Sequence, residues 1–409
     1  MADTENNKNS NSPALRFPGF TEPWQKMKLS SIANIVGRIG FRGYTTNDIV
    51  KKGEGAIALS PTNIENNTLT YDKENTYVSF SKYEESPEIQ LTEGDIVFVK
   101  TGSTVGKVAF VSNLNTKTTI NPQLVVLKEL KVDSYLLSVI LSTNLFQNNI
   151  KRITVGGAVP TLSQNAMGQI FVSIPSKEEQ QKIAELLRLI DERIATQRRL
   201  IDKLETLIRG IVVYHFNSCN TKRTIAIKDL GEAYSVGNLS KDDLTKYGEQ
   251  CIIYGELFTT YGCVAREIQS RTSKYNQATL SRAGDLLFPA STTVDAISLI
   301  APTSLQADGV YVAGDMFGIH ISPLFNSEYI SYLLNYVYHK KLSKYAQGST
   351  IIHLHYADIK NTTIQVPCLE EQNKCAELFE ALQTKYDVAK LLIDNYQLQK
   401  SYLLRQMFK

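Results

Sequence analysis

A phrase of twelve residues occurs twice in this chain, and its second copy lies close to the C-terminus. PSKEEQQKIAEL spans residues 175–186, and PCLEEQNKCAEL spans residues 367–378. The two copies are 192 positions apart and agree at eight of twelve positions. An internal repeat at a fixed distance indicates that the structure formed after the first copy forms again after the second.

Each copy carries the signals of a helix start. A proline precedes the helix, and two glutamates follow where the helix dipole favours negative charge. The following stretches, 176–216 and 368–409, contain no proline, and their apolar residues recur at alternating steps of four and three. That 3.5-residue period is typical of a coiled-coil seam. The predicted seam positions are Ile183, Leu187, Ile190, Ile194, Ile201, Leu204, Phe379, Leu382, Tyr386, Ile393, Tyr396 and Leu403.

The two predicted helices offer each other the nearest apolar partner. Each would be about 60 Å long, and an apolar stripe of that length does not stay exposed to water. The sequence therefore predicts a pair of long helices, and an antiparallel pair would relate the two halves of the chain by an approximate two-fold axis. The alternative is that each helix packs only on the domain in front of it.

The segments in front of the helices have a different pattern. Residues 14–175 and 217–367 are rich in Thr, Val, Ile and Tyr in short runs separated by Gly, Asn and Pro. This pattern predicts strand-rich domains with short helices, for example at 133–149 and 326–345. The polar, low-complexity residues 1–13 are predicted to be a disordered tail. The predicted fold class is α/β (α+β): two such globules and two long antiparallel coiled-coil helices.

Composition and motifs exclude several classes of protein. No apolar run approaches the roughly 18 residues of a membrane span, so we expect a cytoplasmic protein that does not enter a membrane. The five cysteines form no CxxC pair, which favours neither disulfides nor a zinc site. GSTVGKV at 102–108 lacks the glycine spacing of a phosphate-binding loop, so a strand–turn–strand is expected there. We find no catalytic motif and expect neither a catalytic residue nor a bound metal.

Polar turns in both globular segments carry residues suited to DNA recognition. A net charge of only +3 means that DNA binding would depend on local patches. Cations and hydroxyls can bind phosphates or base edges, and amides can read adenine. The alternative for each residue is that it belongs to an ordinary polar turn. The candidates are Arg38, Arg42, Tyr44, Lys100, Thr101, Ser103, Thr104, Lys107, Asn121, Gln123, Ser291, Thr292, Thr293, His353 and His355.

The order of these features resembles the specificity subunit of type I restriction–modification systems. LRFPGFTEPWQKMKLSSIA at 15–33 is similar to the usual entry into that family's first recognition domain. GDIVFVKTGSTVGKVAFV and GDLLFPAST are similar to its recurrent internal landmark, and the doubled phrase is similar to the starts of its long helices. The resemblance covers essentially residues 14–409. The two halves of the chain differ after this landmark: GDLLF in the second half is followed by PAST, whereas the first half has Lys-Thr-Gly at the corresponding place. Contacts to DNA therefore do not transfer residue by residue from one half to the other.

The resemblance implies two target recognition domains, each reading one half of a bipartite, asymmetric sequence in double-stranded DNA. It implies that the paired helices set the unread spacer. It also implies that catalysis lies in partners: two modification subunits that methylate adenine with S-adenosylmethionine, and restriction subunits that use ATP and Mg. No cofactor is expected in this chain. Two other classes stay open, namely a self-sufficient DNA-modifying enzyme and a scaffold that joins protein partners.

Overall fold

The chain forms two compact units that share both long helices. The computed structural model describes residues 13–71, 74–155, 157 and 159–408, so residues 1–12 of the predicted tail lie outside the described residues. One unit extends to Thr196 and includes Leu392–Lys409, and the other is Gln197–Leu391. We call them unit 1 and unit 2. The long helices are Lys177–Ser218 and Leu369–Met407, and each of them is divided between both units.

Unit 1 contains two stacked sheets and a layer of helices. Its larger sheet follows the spatial order Asn34–Gly37, Leu124–Lys128, Ile96–Val99, Val108–Phe110, Thr68–Leu69 and Ile64–Glu65. The smaller sheet follows the order Thr118–Ile120, Gly55–Leu59, Thr76–Ser79 and Ile49–Val50. A further pair, Gln25–Lys28 with Phe171–Ile174, closes the unit, and the helices are Leu29–Ile32, Phe80–Glu84, Ser134–Ser142, Asn144–Ile153 and Gln164–Gly168.

The central strands of unit 1 are buried on both faces. In the strand Ile96–Val99, Val97 and Val99 pack toward the smaller sheet, while Ile96 and Phe98 pack with the helices after residue 133. All four side chains are fully buried. This two-sided burial explains the uninterrupted apolar runs in the sequence, because a strand with one exposed face would alternate apolar and polar residues.

Unit 2 repeats this plan with different strands. One sheet follows the order Gly231–Ser235, Met316–Ile321, Asp285–Pro289, Thr303–Leu305 and Val264–Ala265. The other follows the order Leu244–Thr245, Arg271–Thr272, Glu249–Ile253, Tyr311–Ala313 and Thr279–Leu280. Two short pairs join Arg223–Ala226 to Thr363–Val366 and Ser291–Thr292 to Ile352–His353, and the helical segments are Ser327–Leu333, Leu334–Tyr338, His339–Leu342 and Tyr356–Ile359. The first four strands of the first sheet match those of unit 1 in order and in antiparallel sense.

The long helices pack against each other in both units and run antiparallel. In unit 1, Lys400 Nζ donates to Asp191 Oδ2 at 2.7 Å, and the Arg193 guanidinium lies 6.0 Å from the ring centre of Tyr396. In unit 2, Tyr386 Oη donates to Glu205 Oε1 at 3.0 Å. The predicted fold class, sheet-rich α/β units with two long antiparallel helices, is confirmed.

Residues at the predicted seam positions pack against the globular part of a unit as well as against the other long helix. Ile183 and Leu187 belong to the same core as Trp24 of unit 1, and Phe379 belongs to the core of unit 2. The helix starts therefore pack on the globules as well as on the opposite helix. The buried positions are Ile183, Leu187, Ile190, Ile194, Leu204, Phe379 and Leu382, and the half-buried ones are Ile201, Tyr386, Ile393, Tyr396 and Leu403.

The glutamine shared by both phrases attaches each long helix to its globule. Gln180 Oε1 accepts the N–H of Asp133 at 2.9 Å, and its Nε2 donates to Pro175 O at 3.0 Å. In unit 2, Gln372 Oε1 accepts the N–H of Asn326 at 2.9 Å, and its Nε2 donates to Pro367 O at 2.8 Å. Gln372 is fully buried, and it satisfies one part-buried backbone N–H and one buried backbone carbonyl.

Replacing Gln372 with alanine should lower the free energy of unfolding of unit 2 by about 1–3 kcal/mol, because a part-buried N–H and a buried carbonyl lose their partner. Chemical denaturation of the purified chain measures this loss. Gln399→Ala, at an exposed position of the same helix, should change stability by less than about 0.5 kcal/mol. Equal effects of the two substitutions would contradict this role of Gln372.

The second shared landmark also has a structural role. Gly94 and Gly284 adopt φ of +89° and +88°, a left-handed conformation that favours glycine. The next residue, Asp95 or Asp285, accepts the backbone N–H three positions earlier at 2.8 and 2.9 Å. Each aspartate also binds a basic side chain on the neighbouring strand. The GD pair thus fixes the turn that leads into the central strand of each unit.

Candidate nucleic-acid interface

Three loops meet at one end of the larger sheet in unit 1. After the strand Ile96–Val99, the N–H of Lys100 donates to Gln123 O at 2.9 Å, and Lys100 O accepts the N–H of Leu162 at 2.8 Å. The N–H of Gly102 donates to Pro160 O at 2.9 Å. Residues 100–104, 121–123, 155 and 159–161 therefore form one surface, which we call the loop face of unit 1. The chain continues into Val108–Phe110, which confirms the predicted strand–turn–strand.

Unit 2 builds the same loop face with the same backbone hydrogen bonds. The N–H of Ala290 donates to Asp315 O at 2.8 Å, and Ala290 O accepts the N–H of Leu354 at 2.9 Å. Ser291 pairs with His353 as Thr101 pairs with Thr161. The loop face of unit 2 comprises residues 290–294, 313–315 and 347–353. Its last two segments lie 192 positions after their counterparts, the same distance that separates the doubled phrases.

Exposed basic side chains precede the last segment of each loop face. Lys151 and Arg152 lie in the last turn of Asn144–Ile153, just before Val155. Lys340 and Lys344 occupy the corresponding stretch of unit 2, and all four side chains are exposed. Within the described residues, none of the four is engaged in an ion pair. Sequence reasoning missed these cations, although the repeat distance and their position before glycine-containing turns would have indicated them.

The predicted DNA-binding residues differ in how exposed their side chains are to solvent. Most of them lie on or beside the loop faces, and the stretch that contains Arg38 follows the strand Asn34–Gly37 at the same end of the larger sheet, where Gly37 pairs with Val125. The exposed side chains are Ser103, Lys107, Gln123, Thr293 and His355, and the half-buried ones are Lys100, Thr101, Thr104, Thr292 and His353. Burial lowers the pKa of Lys100, which reflects the low polarity around its ammonium group.

Arg38 does not present its charge to solvent as the sequence suggested. Its side chain is 6% exposed, and Nε donates to Ile120 O at 3.1 Å. Nη2 donates to Thr119 Oγ1 at 3.2 Å, and Nη1 donates to Arg42 O at 3.3 Å. The burial lowers the pKa of the guanidinium. Arg38 thus has a structural role in unit 1, and these contacts do not favour its predicted contact with DNA.

Arg42 and Tyr44 are also engaged within unit 1. Arg42 Nη1 donates to Glu85 O at 3.1 Å and lies 3.6 Å from Glu88 Oε2. The Tyr44 ring lies 5.3 Å from the Arg38 guanidinium, and burial raises the pKa of its hydroxyl. The stretch between them contains a short 3-10 helix, Gly40–Arg42. These intramolecular contacts do not favour binding of phosphates by Arg42 and Tyr44.

Two further candidates are buried within their loops. Asn121 is 9% exposed, its Oδ1 accepts the N–H of Gln123 at 3.0 Å, and its Nδ2 donates to Gln123 Oε1 at 3.1 Å. Ser291 is 7% exposed and pairs with His353 in a strand. Asn121 and Ser291 therefore shape the loop faces, and direct contact with DNA is not favoured for them.

The two candidate histidines, His353 and His355, lie side by side. His353 ends a strand and His355 precedes the helix Tyr356–Ile359, and their rings stack at a centroid distance of 6.2 Å. The nearest carboxylate oxygen to His353 Nδ1 is that of Asp315, at 4.0 Å. In the part of the chain that the structure describes, no three His, Cys, Asp or Glu side chains are grouped as a metal site requires.

The two buried cysteines are not activated for nucleophilic chemistry. All five cysteines are free thiols, and Cys251 and Cys375 are buried. Burial raises the pKa of each of these two thiols to about 11, which disfavours the nucleophilic thiolate.

Among the described helices, none combines the length and apolar character needed to cross a membrane.

Comparisons with known proteins agree with this architecture. The family model described as type I restriction modification DNA specificity domain matches twice, at residues 21–206 and 220–394. The specificity subunit of the type I restriction enzyme MjaVIII from Methanocaldococcus jannaschii is 23% identical over 325 residues, which cover 74% of this chain and 75% of that protein.

Two solved structures share the fold. The S subunit of a type I restriction–modification system from M. genitalium superposes with a TM-score of 0.63 at 14% identity and covers 97% of this chain and 99% of its own. A chain from a structural study of complex assembly and conformational transition in the type I R-M system gives a TM-score of 0.50 at 13% identity, with the same coverage. With two matches to the family model that together span most of its length, this chain belongs to the type I restriction–modification DNA specificity family.

Proposed function

We propose that this chain is a specificity subunit in which each unit reads one half of a bipartite, asymmetric DNA sequence with its loop face. The observation that carries this proposal is the matched pair of loop faces. Their backbone hydrogen bonds are the same, whereas their side chains differ: Lys100, Gln123 and Thr161 in unit 1 correspond to Ala290, Asp315 and His353 in unit 2. A common frame with different side chains suits a target made of two different half-sites.

The charges around the loop faces support DNA as the target. Lys151 and Arg152 in unit 1, and Lys340 and Lys344 in unit 2, are exposed beside polar loops. Contacts to phosphates fix the position of a protein on the duplex, and polar side chains then read base edges in the groove. The long helices, each divided between both units, would fix the number of unread base pairs between the half-sites.

We assign catalysis to partner subunits. Two modification subunits with S-adenosylmethionine would flip and methylate an adenine in each half-site, and restriction subunits with ATP and Mg would translocate and cleave DNA. This chain would be non-catalytic and would hold no cofactor. We propose that the complex acts on double-stranded DNA in the cytoplasm and makes no contact with a membrane.

Deleting the gene for this chain should remove one bipartite methyladenine motif from the host methylome and leave all other motifs unchanged. The methylome is measured by sequencing that detects modified bases, and restoring the gene should restore the motif. An unchanged methylome in a host that expresses the modification subunits would contradict the proposed function. Purified chain that methylates or cuts DNA alone would favour a self-sufficient enzyme.

A further inference from the structure

Gln123 and Asp315 occupy the same position in the two loop faces. The carbonyl oxygen of each accepts the N–H of the residue that follows the central strand, Lys100 at 2.9 Å and Ala290 at 2.8 Å. Both side chains are exposed, and the two positions differ by 192, the repeat distance of the chain. The same backbone position thus presents an amide in unit 1 and a carboxylate in unit 2.

The amide of Gln123 is held in one orientation. Its Oε1 accepts Asn121 Nδ2 at 3.1 Å, and its backbone N–H donates to Asn121 Oδ1 at 3.0 Å. One lone pair of Oε1 and both hydrogens of Nε2 remain for a ligand. A side-chain amide matches the adjacent donor and acceptor of adenine, N6 and N7, in the major groove.

The carboxylate of Asp315 differs from the amide of Gln123, because it accepts hydrogen bonds and donates none. Its side chain is 46% exposed, and the His353 ring is the nearest basic group, at 4.0 Å. A carboxylate is repelled by phosphates and by the acceptors of guanine and thymine, whereas the N4 amino group of cytosine donates to it. A negative charge on the loop face of unit 2 weakens general affinity for DNA, so its position is better explained by base selection.

We propose that Gln123 and Asp315 are matched specificity-determining residues, with Gln123 reading an adenine in one half-site and Asp315 reading a cytosine in the other. This inference rests on the proposed function of the chain as a reader of two half-sites. It assigns one base in each half-site to one named side chain.

Replacing the carboxylate of Asp315 with an amide, and the amide of Gln123 with a carboxylate, tests which base each residue reads. Asp315→Asn and Gln123→Glu change the functional group with little change in shape, and each variant is expressed with its partner subunits for methylome sequencing. Asp315→Asn should lower methylation about tenfold or more at targets with the original cytosine and raise it where adenine replaces that base. Gln123→Glu should produce the reverse change in the other half-site. In each variant the second half-site and the spacer should stay unchanged.

Glu267→Gln is the matched control, since it removes the same charge from an exposed position of unit 2 outside the loop face. It should leave the motif unchanged. The inference is overturned if either variant retains the original motif at full methylation, if changes appear in both half-sites, or if the control produces the same change. Loss of the one bipartite motif on gene deletion, together with an unchanged motif in Asp315→Asn, would overturn this inference and leave the proposed function standing.

A variant that abolishes methylation in cells is tested by binding. The purified complex selects duplexes from a library randomised at both half-sites, which reports base preference without methyl transfer. A new preference at one position supports the inference, and retention of the original preference overturns it. Failure to bind any duplex also overturns it, because loss of one base contact leaves the phosphate contacts in place.

Discussion

A chain in which residues 25–174 are replaced by those of a relative with a different target should methylate a motif with one new half and one unchanged half. These boundaries follow from the packing of unit 1. The strands Gln25–Lys28 and Phe171–Ile174 pair with each other, so the graft carries both strands of the closing pair. The methylome of cells that express the grafted chain with the original partner subunits measures the result.

The boundaries also retain the contacts of Arg16 and Trp24 with the start of the first long helix. Arg16 and Trp24 lie before the graft, and their partner Glu179 lies after it. Gln180 accepts a backbone N–H from Asp133, a group that a grafted domain of the same fold supplies with any residue. A reciprocal graft of residues 223–366, bounded by the pair Arg223–Ala226 and Thr363–Val366, should change only the other half. Changes in both halves from one graft would contradict the assignment of one half-site to each unit.

Glu179→Ala should destabilise unit 1 by about 3 kcal/mol or more. The Glu179 side chain is fully buried and accepts Arg16 Nε at 2.9 Å, Arg16 Nη2 at 2.7 Å and Trp24 Nε1 at 3.1 Å. Truncation leaves Arg16, whose side chain is only 12% exposed, without its counter-ion, and removal of one partner of a buried ion pair typically costs about 3–5 kcal/mol. Thermal or chemical unfolding of the purified chain measures the loss.

Glu371 provides the matched control within the same molecule. It occupies the same place in the second phrase, but it is 35% exposed and lies 3.4 Å from His215 Nε2 and 3.2 Å from Lys374 Nζ. Water screens these contacts, so Glu371→Ala should have a much smaller effect than Glu179→Ala. Similar losses for both variants would show that burial of the ion pair is not the reason for the stability of unit 1.

The long helices were predictable because their signal is local and repeated. Proline, paired glutamates and a 3.5-residue period specify a helix start and an apolar stripe without reference to distant residues. The structure begins these helices at Lys177 and Leu369, within two residues of the predicted positions. The helix predicted at 133–149 is interrupted at Thr143, whose extended backbone caps the following helix. Such a break depends on packing in the core and is weakly expressed in the sequence.

The candidate interface was less predictable, since exposure of a polar side chain depends on contacts that are distant in the sequence. Arg38 and Asn121 belong to residue types that bind nucleic acid, yet the fold places an acceptor of unit 1 beside each of their donor groups. Asp315 was not recognised because an isolated aspartate in a turn has no distinctive pattern. Its equivalence to Gln123 became visible only through the shared backbone hydrogen bonds.

By itself, the sequence determined that the chain is built twice on one plan, with a long helix after each globule, because repeats and periodicity are properties of the order of residues. The tertiary structure decided which polar residues satisfy the fold and which remain available to a ligand. Gln180, Gln372, Asp95 and Asp285 are shared by the two halves because they bind backbone groups that both halves must satisfy. Gln123 and Asp315 can differ because their side chains extend from a common frame toward solvent.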